Sequence, residues 1–398
     1  MTLKTEYNYY YHLNYTLCVA DMRQIFLSFF KSYTKSVGDA TEVDKITAAA
    51  LLFQRAFGQQ VLDPNWTWKR HGFHQILNLL LFVYVFFGTL QCLNTTDDAE
   101  LIAQACYTLI MIGIFPLKIV LFIGNRSMFR KLYVTAKTTL IDVIKADPSV
   151  DIKKVLATGN KIVYTLFCMV LVPCSIYELT TFWNYVNGSR TLLSPSTNTL
   201  MPMTTPYYEI AWFLHTVFLF EISSTIILDM WFVLLIYFLC GASDSLARIL
   251  DVEKRGNEGK LAYAARLNEG LKKFHAVHVE QVEYVLLCSE LILRFPCFYR
   301  VAVLIHITIF LQDLNWRFAP HMLPMFAEIF AYNWFGEQIK TKAENIYMAL
   351  INFDWMSLET GDKRNYYIII SYMQKKFGIK TAVGYDLSLI TMTAVSIN

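Results

Sequence analysis

The sequence predicts an all-α membrane protein with seven transmembrane helices, the amino terminus cytoplasmic and the carboxyl terminus extracellular. Apolar runs at Gln75–Cys92, Leu101–Ile123, Ile162–Trp183 and Tyr207–Cys240, and again up to Leu311, approach or exceed the roughly 20 residues that cross about 30 Å of hydrocarbon. Backbone N–H and C=O groups in hydrocarbon must pair within their own segment, so such runs mean helices. The chain is 55% hydrophobic and only 17% charged, against about 25% charged in soluble domains. Lysine and arginine are sharply partitioned: 8 lie in residues 1–71, 8 in 124–161, 7 in 241–283 and 7 in 336–380. The intervening loops hold only Arg190 and Arg317. Basic loops stay in the cytosol, which fixes the orientation.

Residues 1–71 form a cytoplasmic segment of mixed polarity, with an amphipathic stretch at Asp44–Phe57. They lack a basic start, apolar core and small-residue cleavage site, so the first spanning helix is expected to direct insertion itself. Residues 72–335 make a six-helix bundle. Its first helix is about His74–Leu93 and its second Leu101–Ile123, joined by the acidic loop Asn94-Thr95-Thr96-Asp97-Asp98. The basic inner loop 124–161 leads to the third helix, Ile162–Trp183. The fourth run, Tyr207 to about Cys240, is longer than a bilayer needs, so its far end is expected to continue into solvent. The inner loop 241–283 is charged and helix-forming. The fifth and sixth helices are Cys288–Leu311 and Phe318–Phe335, hinged at Asp313-Leu314-Asn315. A polar, basic segment, 336–378, precedes a seventh helix at 379–398.

Glycosylation sequons agree with this orientation. Asn94 and Asn187 fall in the outer loops, where an acceptor must lie, while Asn14, Asn65 and Asn125 head sequons on the inner side.

Several classes are excluded or disfavoured. A net charge of +3, with no basic run interleaved with stacking aromatics, argues against nucleic acid. The eight cysteines are scattered without a CxxC pair and read as small buried apolar residues. His275 and His278, with Glu280 nearby, read as a solvated helix face in preference to a metal site, so no metal and no cofactor is expected. The inside amino terminus, and the lack of Asp-Arg-Tyr and Asn-Pro-x-x-Tyr motifs, argue against a G-protein-coupled receptor. No Ser, Asp and paired-His set marks a membrane hydrolase, and no catalytic residue is assigned. Glu221, Asp229, Glu290, Arg294 and Arg300 are ionisable residues within helices and so functional candidates. Glu290 and Arg294, four apart, can pair on one face.

Aromatic residues crowd the outer helix ends, among them Tyr177, Phe182, Trp183, Tyr207, Tyr208, Trp212, Phe213 and Trp316. They suit either an interfacial belt or an apolar pocket for a small lipophilic molecule, with His215 or Thr216 supplying a polar contact. In the last helix Thr381, Ser388, Thr391, Val395 and Asn398 recur near one stripe. An uncharged polar stripe suits helix–helix contact or a water-filled pore.

The carboxyl-terminal third carries a family resemblance. The resemblance rests on Phe330-Ala331-Tyr332-Asn333-Trp334-Phe335-Gly336-Glu337-Gln338-Ile339, then Asn345-Ile346-Tyr347 through Asp354-Trp355. Lys363-Arg364, Tyr372-Met373-Gln374-Lys375-Lys376, Thr381-Ala382 and Leu387-Ser388-Leu389-x-Thr391 continue it in order. Together these segments resemble the insect odorant receptor family, and Asp229 matches a frequent acidic position of it. The resemblance implies an odorant-gated, non-selective cation channel, a heterotetramer with a shared co-receptor subunit, in the plasma membrane of olfactory sensory neurons. No G protein is required. It further implies an odorant pocket in the outer half of the bundle at Tyr177, Trp212, His215, Thr216 and Trp316. Residues 336–378 would act as the inter-subunit anchor, and 379–398 would supply the pore through Ser388, Thr391, Val395 and Asn398. Family members run about twelve or more residues past the position of Asn398, so the seventh helix is expected to be incomplete. A gustatory receptor of the same fold, and a transporter or membrane enzyme, are the alternatives.

Overall fold

A computed structural model describes residues 66–192, 200–223, 226–253, 258–293 and 319–373, with 50, 51, 53, 54, 62 and 256. The described residues are helical, with no strand among them. In order, α1 is Trp68–Thr95, α2 Ala99–Gly124, α3 Arg126–Thr135 and α4 Ile141–Ala146, with a π-helical turn, Ala136–Leu140, between the last two. Next come α5 at Ile152–Val186, α6 at Tyr207–Ser223, α7 at Ile226–Ile249 and α8 at Lys260–Leu293. Then α9 is Ala319–Ile351, a 3₁₀ turn covers Trp355–Ser357, and α10 is Thr360–Met373. The hinge at 313–315, most of the fifth predicted helix and the whole of the seventh lie outside the described residues.

Three of these helices contain stretches long and apolar enough to span a bilayer: His71–Thr95, Ile152–Val186 and Asp229–Ile249. On α1 the residues Phe73, Ile76, Leu80 and Phe87 are exposed, an apolar face suited to lipid. The opposite face of α1 packs Leu81, Phe82 and Val85 against Ile112 and Ile119 of α2 and Phe218 of α6.

The observed helices outrun the predicted apolar runs. α5 starts at Ile152, ten residues ahead of its apolar stretch, because Asp151 accepts the Lys153 backbone N–H at 3.0 Å and caps it there. At its other end the Ser189 N–H reaches the Asn184 carbonyl at 2.9 Å and the Gly188 N–H reaches Tyr185 at 3.0 Å. With Gly188 at φ 78°, this is a Schellman stop, and a glycine is favoured there because a Cβ strains at positive φ. α8 is one continuous helix through the charged inner loop into the predicted fifth helix, and α9 runs 16 residues past Phe335.

α7 is the hub. Met230–Ile236 are buried without interruption, as expected of a helix apolar on every side. It packs most extensively on α9 and then on α5. Trp231 meets Tyr133 edge-on at 5.4 Å and Phe129 at 6.4 Å, so the basic segment after α2 folds back onto this hub. Phe53, from the predicted amphipathic stretch, stacks on Phe167 of α5 at 3.9 Å.

A second core, at the end carrying the basic segments, joins Leu246, Leu271, Phe274, Leu350 and Tyr366 from α7, α8, α9 and α10. Ion pairs stitch its surface: Arg248 Nε to Asp147 at 2.6 Å, Lys342 to Asp244 at 2.7 Å and Lys131 to Glu283 at 2.5 Å. Burial pushes the Asp147 carboxyl up, but hydrogen bonds from Ser149, Arg248 and Ser245 outweigh it and hold its pKa at about 2. His278 stacks on Phe274 at 5.5 Å, and burial, then neighbouring His275, pulls its pKa down to about 4.

Candidate functional site

Two carboxylates inside the apolar bundle organise its chemistry. The first lies toward the end away from the basic segments, where α5 and α6 meet. Glu178 Oε2 accepts the Trp212 indole N–H at 2.9 Å and the Thr216 hydroxyl at 3.1 Å. Around it, Trp212 tilts against Tyr185 at 5.5 Å, Tyr208 at 6.2 Å and Phe182 at 6.3 Å, and Tyr185 stacks on Tyr208 at 5.9 Å. The Schellman stop at Gly188 folds the chain back, so that the Arg190 guanidinium sits 4.1 Å over the Tyr185 ring. The result is a cluster of aromatic rings, the basin hereafter, with one carboxylate against it and a cation at its edge.

The second carboxylate is sealed. Asp229 of α7 is 3% exposed and Lys118 of α2 is 6% exposed. Lys118 Nζ lies 3.2 Å from Oδ2 and 3.4 Å from Oδ1 of Asp229. The Tyr332 hydroxyl, from α9, donates to Oδ1 at 2.6 Å. The Tyr332 ring stacks on Phe232 at 4.5 Å, which fixes the hydroxyl's approach. Three helices from distant parts of the chain thus meet on one charge.

Trp212 and Thr216 are brought together, through Glu178. Tyr177 is half-buried on α5, one residue before Glu178, and its carbonyl accepts the Thr181 hydroxyl at 2.9 Å. His215 is buried on the neighbouring face of α6. The buried residues Tyr208, Ala211, His215 and Phe218 recur there at helical spacing, and Phe218 meets Phe82 of α1 at 5.6 Å. His215 Nδ1 has no hydrogen-bond partner among the described residues. Trp316, Ser388, Thr391, Val395 and Asn398 lie outside the described residues, as do Arg294 and Arg300. Asn94 and Asn187 are exposed, whereas Asn125 is buried and donates its side-chain amide to the Leu121 carbonyl at 2.7 Å.

Glu178 and Lys118 escaped the sequence reading. Each is the single charged residue in its apolar run, and that isolation was the available signal.

Long apolar helices, the hub on α7 and an ionic contact inside it define a helical membrane protein. Residues 98–396 match the family model of the 7tm odorant receptors, and the chain belongs to that family. It is therefore a receptor-type membrane protein and not an enzyme. The fold is similar to that of the insect olfactory receptor OR5 from Machilis hrabei, with a TM-score of 0.62 at 13% identity over 84% of this chain and 89% of that one. The same receptor solved in complex with eugenol matches at TM-score 0.62 and 13% identity, over 89% of this chain and 96% of that one. Among curated proteins none matches.

Proposed function

We propose that the chain is the odorant-tuned subunit of a ligand-gated, non-selective cation channel, assembled with a shared co-receptor as a heterotetramer in the plasma membrane of olfactory sensory neurons. The observation that carries this reading is the family match over 98–396, and a receptor of the same fold has been solved with the small aromatic odorant eugenol. In this reading seven helices cross the membrane, the basic segments are cytoplasmic, the carboxyl terminus is outside, and Asn94 and Asn187 carry the glycans.

The aromatic basin between α5 and α6 suits a small volatile ligand. Tyr177, Trp212, His215, Thr216 and Trp316 help line its pocket, with Glu178 as an added polar wall. Apolar contact supplies most of the affinity, at about 25 cal/mol per Å² of apolar surface buried. Residues 336–378 anchor the subunits, and Ser388, Thr391, Val395 and Asn398 of the 379–398 helix face the pore. The test is co-expression with a co-receptor subunit and recording of current evoked by an odorant panel that includes eugenol. Odorant-evoked cation current that needs both chains is the expected result. Current from the co-receptor alone that this chain leaves unchanged would refute the reading.

A further inference from the structure

We infer that Lys118, Asp229 and Tyr332 form a gating site, holding α2, α7 and α9 in the closed arrangement and separating when the channel opens. The inference rests on the reading of the chain as a channel subunit.

Stability alone does not account for the site. A buried ion pair can usually be replaced by apolar residues at no loss, because desolvation cancels most of the attraction. Ionisable groups at membrane depth cost more still, and they mark moving or transporting parts. Two features make this pair a releasable contact. Lys118 stands 3.2–3.4 Å from Asp229, looser than the 2.7–2.9 Å usual for a charge-assisted bond, while Tyr332 holds the same carboxylate at 2.6 Å. Pro116 lies inside α2, two residues before Lys118. A proline there deletes one backbone hydrogen bond and gives α2 a place to bend.

The site also joins helices that lead along the chain to both proposed functional regions. Trp212 and Thr216 of the basin are on α6, and the chain passes from α6 into α7, which presents Asp229. α9 presents Tyr332 and then runs on through the second core to α10 and the proposed pore segment. A ligand that shifts α6 and α7 pulls on the Asp229 contact, and release of Tyr332 frees α9.

The test compares Tyr332→Phe and the double variant Lys118→Met/Asp229→Leu with the natural chain, each co-expressed with the co-receptor. Basal and odorant-evoked currents are normalised to surface-labelled subunit. Tyr332→Phe keeps the ring stack and the ion pair and removes only the hydroxyl. It should raise basal current roughly tenfold, the shift expected from losing a hydrogen bond to a charged group, and lower the half-maximal odorant concentration. The double variant should shift both in the same direction. Wild-type basal current and concentration dependence in variants that reach the surface would overturn the inference, and so would a fall in basal current. If the double variant is retained inside the cell, Tyr332→Phe decides alone. If the natural chain gives no odorant current, the channel reading fails by itself. Thiol labelling of the buried Cys288 in purified protein then judges the clamp, with faster labelling in Tyr332→Phe supporting it and equal rates overturning it.

Discussion

Glu178 and Asp229 are both carboxylates in apolar helices, and both accept a hydrogen bond from an aromatic side chain, yet their surroundings are opposite. Glu178 is reached at one oxygen by Trp212 and Thr216, the latter exposed, and stands in an open aromatic wall. Asp229 is closed in by Lys118 and Tyr332 from two other helices. An open carboxylate can exchange a protein donor for one on a ligand without moving a helix. A sealed one can change partners only when helices move. In the proposed reading, the same functional group serves recognition in one place and mechanical coupling in the other.

Substitution of the sealed carboxylate should have the largest effect. Asp229→Asn leaves the Lys118 ammonium buried without its counter-charge, at a cost of about 3–5 kcal/mol. Loss of surface expression is the expected outcome, read by surface biotinylation. Normal expression would mean that the site is wetter than its burial implies.

Acid should act at the basic end, where His278 and Asp147 lie outside the membrane-spanning helices. The ordinary imidazole pKa is 6.5, and burial lowers that of His278 to about 4. Its contribution is complete above pH 6.5 and is lost as pH falls toward 4, on the order of 2–3 kcal/mol. Asp147, lowered from 3.8 to about 2, contributes above pH 3.8 and loses its share only as pH falls to about 2. Melting temperatures of purified protein at pH 7.5 and pH 5 should therefore diverge, and His278→Phe should narrow that difference.

The basin should respond more mildly. Trp212→Phe removes the indole donor to Glu178 and should cost about 1 kcal/mol of local stability. Surface expression should persist while the rank order of odorant responses changes. An unchanged response profile would return these aromatics to an interfacial belt. Smallest of all is Lys131→Ala, which breaks an ion pair whose side chains are 55% and 60% exposed. A change under about 1 kcal/mol in melting temperature experiments, fading with added salt, is expected.

Much of the fold was legible because hydropathy reports where water stops. It found α1, α2 and α5 and the long run that holds α6 and α7. It misplaced ends because a helix continues past the hydrocarbon wherever capping and propensity allow, as at Asp151 and through α8. Trp212 and Thr216 could be named from aromatic density beside a hydroxyl. His215 was grouped with them by proximity along the chain; it stands three residues from Trp212, on the buried flank of α6 that also carries Tyr208. The Lys118–Asp229 contact spans 111 positions of sequence, and no local pattern encodes such a pairing. Isolation in apolar runs flagged each residue without saying which other one would meet it.

The length of α9 has a mechanical consequence. At 33 residues it is a rod of roughly 50 Å, pinned part-way along at Tyr332. About 20 Å of it lies on one side of that pin and about 28 Å on the other. Until that contact parts, tilting about Tyr332 makes the rod an unequal lever, so that a displacement of 1 Å at Ala319 becomes about 1.4 Å at Ile351, in the reverse direction. Small adjustments at the Ala319 end would thus arrive enlarged at Ile351, in the segment proposed to join the subunits.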